Sequence, residues 1–390
     1  MSSVVAAITG MGCMSPLGCD AASTRAGLRA GTDGIRPVGL FDTSKFQSHT
    51  AGQVPEDFVD RAAAILPASR RWPRATQILL IAIAEALSMR PRFVPDVVIA
   101  ATTSGGMDFG EHFYRGLGGA MTGRQARELV RGYFPHQPVL DALAPFGIAA
   151  PLRVISNACA SGTNAVGTAA HLIRRGQAAR VMAIGFDALA EMVFAGFDAL
   201  RASTAEKCRP FDLERSGLAL GEGAAVFLLE AGASDALATI GGYGCANDNF
   251  HLTKPEPGGA GPRLSMQRAL ADAGWEASSL DYANAHGTAT PFNDASEAAA
   301  LREVCPDVPV SSTKGMTGHA LGAAGAIEAA FCVHALQGGF LPPNINLRTG
   351  EAGLDLVANV ARAAAPRRVI SNSFGFGGSN ASILLEKGTL

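Results

Sequence analysis

The sequence predicts an α/β fold in which helices cover buried sheets. Short apolar runs rich in Val, Ile and Ala alternate with helix-patterned stretches along the whole chain. Hydrophobic residues make up 48% and charged residues 17%, so burial is extensive, and 390 residues supply a large core. The alternation runs through the chain twice, and no low-complexity linker separates the two passes. That predicts one compact body in two halves, 1–230 and 231–390, alike in plan but not in residue identity.

The elements follow in order. Residues 4–8 read as an opening strand that stops at Gly10-Met11-Gly12. Residues 20–30 read as a helix, begun by Asp20 and closed by Gly31. Residues 41–72 look irregular and exposed. A helix at 75–87 and a buried strand at 97–101 follow, then a polar, partly helical excursion at 111–136. A strand at 154–156 leads into a turn at Cys159 and a helix at 162–175. Strands at 181–185 and 223–230 close the first half. The second half gives helices at 264–273, 295–304 and 322–336, with strands at 282–285, 310–312, 369–373 and 381–386.

Composition excludes several classes. Lys+Arg 32 against Asp+Glu 34 leaves a net charge of −2, which gives no reason to invoke nucleic acid or an acidic membrane. Cys13, Cys19, Cys159, Cys208, Cys245, Cys305 and Cys332 are odd in number and contain no CxxC, so neither a disulfide framework nor a zinc site is indicated. Reduced thiols in a cytoplasm are the simpler expectation. No basic leader with an apolar core opens the chain. The longest apolar helical run, 78–87, contains Glu85 and is too short to span a bilayer.

Chemistry concentrates in four segments. Cys159 lies in Asn157-Ala158-Cys159-Ala160-Ser161-Gly162-Thr163, between an apolar strand and a helix of small residues. A helix N-terminus there favours thiolate over thiol. His286 ends a strand in Asn284-Ala285-His286-Gly287-Thr288-Ala289-Thr290-Pro291. Lys314 and His319 share a Gly-rich segment running from Lys314 to Gly325. Asn372-Ser373-Phe374-Gly375-Phe376-Gly377-Gly378-Ser379-Asn380 forms a second Gly-rich loop. Each segment taken alone reads as a turn or a structural histidine. Four of them at the ends of apolar strands mark where sites assemble in layered α/β folds.

Together these segments resemble the elongating β-ketoacyl-acyl carrier protein synthases, members of the thiolase-fold condensing enzymes. The resemblance runs from Gly10-Met11-Gly12-Cys13-Met14-Ser15-Pro16-Leu17-Gly18 to the last Gly-rich loop, and carries the order Cys, then HGTxTP, then Lys-x-x-x-x-His. It implies a layered α-β-α-β-α fold and a decarboxylative condensation of an acyl-enzyme with a malonyl thioester. In that family Cys159 would accept the acyl chain. The backbone N–H groups of Cys159 and Phe376 would bind the oxyanion. His286 and His319, both neutral, would point N–H groups at the enolate oxygen. Lys314 would pair with Glu328, Glu297 would support the same network, and Thr288 and Thr290 would hold the phosphopantetheine arm.

The resemblance also places Phe374 and Ser104 at the acyl pocket, with Phe376 gating it. It places Arg70, Arg71 and Arg74 where an acidic acyl carrier protein docks. Ala205 stands where relatives often carry an entrance arginine, and NACASG replaces the more familiar DTACSS. No permanent cofactor and no catalytic metal are expected; phosphopantetheine arrives on the carrier, and family analogy allows a monovalent cation. The expected assembly is a homodimer, with a heterodimer containing a non-catalytic homologue as the other form. Two pathways stay open: fatty acid elongation, and a type II polyketide or polyene system with a chain-length-determining partner.

Other classes fit less well. A biosynthetic thiolase would carry a second cysteine in the C-terminal Gly-rich loop, where Phe374 and Phe376 stand. An initiating condensing enzyme would have Asn at position 319. Asn157 to Ser161 does not form the G-x-S-x-G of an α/β-hydrolase. Gly375-Phe376-Gly377-Gly378 lacks the third glycine, the following helix and the downstream acid of a dinucleotide fingerprint.

Overall fold

A computed structural model describes residues 4–119 and 121–389. Ten strands form one mixed sheet. β1 (Ala6–Met14), β2 (Val97–Ala101), β3 (Leu152–Ile155), β4 (Arg180–Asp187) and β5 (Gly223–Ala231) come first in the chain. β6 (Ala238–Asn247), β7 (Tyr282–Asn284), β8 (Val310–Ser311), β9 (Arg368–Gly375) and β10 (Ser379–Lys387) follow. The spatial order is β8-β7-β9-β10-β6-β1-β5-β4-β2-β3.

The two sets of five mirror each other. β2 pairs in parallel with β3 and β4, and β5 lies antiparallel between β4 and β1. Likewise β7 pairs in parallel with β8 and β9, and β10 lies antiparallel between β9 and β6. Among the described strands, the sets pair where Ala6–Ile8 meets Ala238–Ile240.

Helices complete the layers. α1 (Arg74–Met89) covers β1 and β5 from outside, and α3 (Ala260–Ala273) covers β6 and β10, with α4 (Pro291–Val304) packed beside it. Between the two sets lie α2 (Ser161–Arg174) and α5 (Ala324–Gly338), which touch each other and strands of both sets. The result is an α-β-α-β-α stack. Every residue of α5 from Ala324 to Leu336 is buried, as a helix walled in on all sides requires. Small residues let the central pair approach closely: a Cβ on Gly162 would stand 2.5 Å from the Ala326 nitrogen.

Two strands differ from expectation for one reason. β1 does not stop at Gly10-Met11-Gly12 but continues to Met14, and β6, not anticipated at all, contains Gly241, Gly242 and Gly244. Those glycines are not turn signals. A Cβ on Gly12 would overlap the Ala82 carbonyl of α1, and one on Gly244 the Ser265 carbonyl of α3. The outer helices sit directly on bare backbone, so the pattern that reads as a breaker is a close-packing surface. Elsewhere, 41–72 contains a short strand, Thr50–Gly52, and a helix, Phe58–Ala63; the excursion resolves into Met107–Gly116, Gly123–Tyr133 and Gln137–Leu143; and the helix Glu191–Ala199 went unread. No described helix is long and apolar enough to cross a membrane.

Candidate active site

The four segments meet at the C-terminal ends of β3, β7, β8 and β9. β3 feeds the Cys159 turn, where Ala158 adopts φ 55°, a left-handed conformation that costs an alanine about 1 kcal/mol. The turn is fixed by its own neighbours: the Ser161 hydroxyl donates to the Ala158 carbonyl at 2.6 Å and accepts the Asn157 N–H at 2.8 Å. Cys159 thus sits buried at the start of α2.

His319 brings Nε2 to 3.0 Å from the Cys159 sulfur, and the His286 ring stands edge-on to His319 with centroids 5.1 Å apart. One atom from each of the three residues lies within 4.8 Å of the others. Both imidazoles are buried, and burial first, then the Lys314 charge, holds their pKa values well below the usual histidine range. They are neutral near pH 7.

Lys314 determines more than charge. Its ammonium has three N–H donors and faces three acceptors: Glu328 Oε1, the His286 carbonyl at 2.6 Å and His286 Nδ1 at 3.3 Å. An ammonium cannot accept, so Nδ1 of His286 accepts and its ring proton lies on Nε2. Glu328, on α5, is pushed up to about 7 by burial, with Lys314 pulling against the rise. Glu297 accepts the backbone N–H groups of His286 (2.8 Å) and Gly287 (2.7 Å) and so anchors the histidine loop; burial raises it to about 8.

One expectation is corrected. The helix N-terminus does not make Cys159 a resting thiolate: burial pushes its thiol up to about 12, against the downward pull of Lys314 and the Phe376 N–H. Desolvation of the sulfur outweighs the helix-end charge. The resting group is a thiol in contact with an imidazole.

Gly375 backs directly on this turn: a Cβ there would lie 2.9 Å from the Cys159 nitrogen. That approach lets the Phe376 N–H reach the Cys159 sulfur. The Phe376 ring is partly exposed and stacks on Phe197 at 5.8 Å. Cys159, both histidines, Thr288, Thr290, Phe374 and Phe376 all line one cleft of about 270 Å³. The Thr288 and Thr290 hydroxyls bond each other at 2.8 Å. Sequence reasoning missed Phe197, Arg201 and Lys254, which also line the cleft; none stands in a motif.

Two other expectations fare differently. Ser104 does not line this cleft: its hydroxyl donates to Asp187 at 2.7 Å. Of the three arginines, Arg74 is held by the buried Glu222 at 2.6 Å and Arg70 by Asp141 at 2.8 Å, with Arg70 also stacked over Trp72. Arg71 alone of the three is exposed. Two of the three are tied into ion pairs, and Arg71 is the exposed cation of the cluster.

Residues 4–109 and 141–234 match the N-terminal domain of β-ketoacyl synthases, and residues 237–348 the C-terminal domain. The chain belongs to the β-ketoacyl synthase family. This synthase is 35% identical to 3-oxoacyl-[acyl-carrier-protein] synthase 2 of Staphylococcus aureus (strain N315), over 97% of both chains. It is 35% identical to the protein of that name from Coxiella burnetii, over 97% of this chain and 98% of that one. Among solved structures it resembles the ishigamide ketosynthase/chain length factor, with a TM-score of 0.92, 32% identity and coverage of 99% and 100%. The layered fold of the synthase is that of the thiolase-like ketosynthases.

Proposed function

We propose that this synthase joins an acyl group held on Cys159 to the two-carbon unit of malonyl-acyl carrier protein, releasing CO2 and 3-oxoacyl-carrier protein. The observation that carries the reading is the Cys159–His319–His286 cluster, with His286 held as its Nε2–H tautomer by Lys314. Cys159 loses its proton as it attacks the acyl thioester; the carrier thiol leaves. Malonyl decarboxylation places negative charge on the thioester oxygen, where neutral imidazole N–H donors stabilise it. The nascent carbanion attacks the acyl-enzyme, the Cys159 and Phe376 N–H groups hold the tetrahedral oxyanion, and the sulfur leaves and regains a proton. Thr288 and Thr290 support the phosphopantetheine arm, and Phe374 and Phe376 bound the acyl chain. On this reading 1–230 supplies the nucleophile and 231–390 the histidines and lysine; the enzyme works in the cytoplasm as a homodimer.

His319→Ala tests the division of labour. Malonyl-carrier decarboxylation should fall by roughly 10²–10³-fold, the usual cost of one oxyanion donor, while mass spectrometry still finds an acyl group on Cys159. No acylated enzyme in that variant counts against the roles. The depressed histidine values predict that neither imidazole of the resting enzyme titrates near pH 6.5, where ordinary imidazoles do. An imidazole NMR signal of His286 or His319 moving there would mean that a histidine is charged in the resting site; a change in rate alone could equally come from Glu328, which burial raises to about 7.

Two buried oxygens bear on a monovalent cation. Asn284 Oδ1 and Ser371 Oγ lack hydrogen-bond partners and belong to register neighbours on β7 and β9. Neutral oxygen donors of this kind suit a hard cation of low charge. Such an ion would supply fixed positive charge and satisfy these oxygens.

The likeness to a ketosynthase/chain length factor pair favours a second reading, a polyketide or polyene synthase in a heterodimer. Incubation with malonyl-carrier protein and a series of acyl-carrier proteins separates them. Turnover of saturated chains by the chain alone supports fatty acid elongation; turnover of polyenoyl chains only with a homologous partner supports the second.

A further inference from the structure

Asp187, at the end of β4, is fully buried and takes no part in the chemistry above. It is also the most heavily hydrogen-bonded carboxylate near the site. It accepts from the Thr102 hydroxyl (2.6 Å), the Thr103 N–H (3.0 Å), the Ser104 N–H (2.8 Å), the Ser104 hydroxyl (2.7 Å) and the Gly105 N–H (3.3 Å). Three successive backbone N–H groups, with Gly105 at φ 52°, form a concave anion nest, and Asp187 fills it from within the chain. The Thr102 hydroxyl closes the turn by accepting the Gly105 N–H at 2.8 Å.

That turn touches both sides of the reacting pair. The Thr103 hydroxyl donates to the Ala158 carbonyl at 3.3 Å, bracing the left-handed residue just before the nucleophile. On the other side Gly322, three residues after His319, lies against Thr103: a Cβ on Gly322 would stand 2.6 Å from the Thr103 nitrogen. A shift of the turn therefore moves the Cys159 turn and the His319 loop relative to each other.

We propose that Asp187 is a positioning residue that, through the Thr102–Gly105 turn and the Thr103–Ala158 strut, sets the approach of Cys159 to His319. The inference rests on the functional reading only for the assay used. Its physical basis is that a displacement of about 1 Å at a reacting centre costs on the order of 10²-fold in rate. Asp187→Asn keeps the size and the Oδ1 that accepts from Ser104 and Gly105, but puts an amide donor where Oδ2 accepts the Thr103 N–H at 3.0 Å, so the turn loosens at Thr103, the residue that carries the strut. The buried Asp187 charge also pushes the Cys159 thiol up, so its removal eases ionisation.

The test uses the full chain, octanoyl- and malonyl-carrier protein, and iodoacetamide. Asp187→Asn should slow octanoyl transfer onto Cys159 by roughly tenfold or more. Malonyl decarboxylation should fall several-fold less than acylation, because the Thr103–Ala158 strut bears on the Cys159 turn and leaves His286 and its lysine in place. In the same variant the pH midpoint for alkylation of Cys159 should move down. Slower acylation of a more readily ionised thiol is a signature of misplacement that a general loss of stability does not give. Thr103→Val, exposed and charge-neutral, removes the strut alone and should slow acylation about fivefold, with decarboxylation and the alkylation midpoint unchanged; it carries the test should Asp187→Asn fail to fold. Acylation within twofold of wild type in both variants overturns the proposal, as does an equal fall in acylation and decarboxylation. Failure of the wild-type chain to take up octanoyl groups would instead count against the condensing reading, and crystal structures of the two variants would still decide the role of Asp187, an unchanged 3.0 Å approach of His319 to Cys159 overturning it.

Discussion

Cys159→Ala is expected to abolish condensation while leaving malonyl decarboxylation in place. The substitution removes one buried sulfur and little else: the turn is held by Ser161 and Thr103 through the Ala158 carbonyl, not by the thiol. His286 keeps its tautomer because Lys314 fixes it from the far side. The enolate-stabilising donors therefore survive, and the acyl acceptor does not. Loss of a covalent nucleophile typically costs roughly 10⁴–10⁶-fold. Two measurements check it: mass spectrometry for acyl-enzyme, and CO2 or acetyl-carrier protein release from malonyl-carrier protein. Unchanged 3-oxoacyl product from the variant would remove Cys159 from the mechanism. Loss of decarboxylation together with acylation would mean that the sulfur, at 3.0 Å from His319, helps hold that ring.

The residues of this experiment were legible in the sequence for a physical reason. A nucleophile, a donor or a buried ammonium can serve only in a narrow geometry, and the chain supplies that geometry locally, through a few small residues at a strand end. Cys159, His286, Lys314 and His319 each carry such a local signature, so each is visible in a run of under ten residues. What holds them is not local. Asp187 reaches back to its turn across 82 to 85 residues, and Arg74 to Glu222 across 148. No short motif encodes such a pair, so the ion pairs that hold Arg70 and Arg74 are not legible in the sequence. Glycines misled for the opposite reason: at Gly12 and Gly244 they serve a packed helix, although their local pattern is that of a loop. The sheet's alternation of strand and helix was readable because it follows from periodicity, while the identity of the central layer follows from which helix is apolar on every face.

Lys314→Ala is the variant in which site and fold fail together. The ion pair with Glu328 is almost wholly buried, with side-chain exposures of 1% and 4%. Removing the lysine leaves a carboxylate with its other oxygen already unpartnered, in a layer that α5 seals from water. Breaking such a pair from one side typically costs about 3–5 kcal/mol. Glu328 can lower that cost by taking up a proton, since burial already raises it to about 7. Stability of the variant should therefore recover as pH falls from 8 to 6: without the lysine the buried acid binds a proton that its unfolded counterpart, near 4.5, does not. The companion Lys314→Ala/Glu328→Gln should regain much of the stability at every pH, because no charge is left stranded. It should not regain decarboxylation, because nothing then holds the His286 Nδ1 as an acceptor and the tautomer is free to invert. Denaturant unfolding at pH 6 and 8 reads the first half and malonyl-carrier turnover the second. Restored stability with restored turnover would show that the lysine serves only as a counter-charge, and that the proton on His286 is placed by something else.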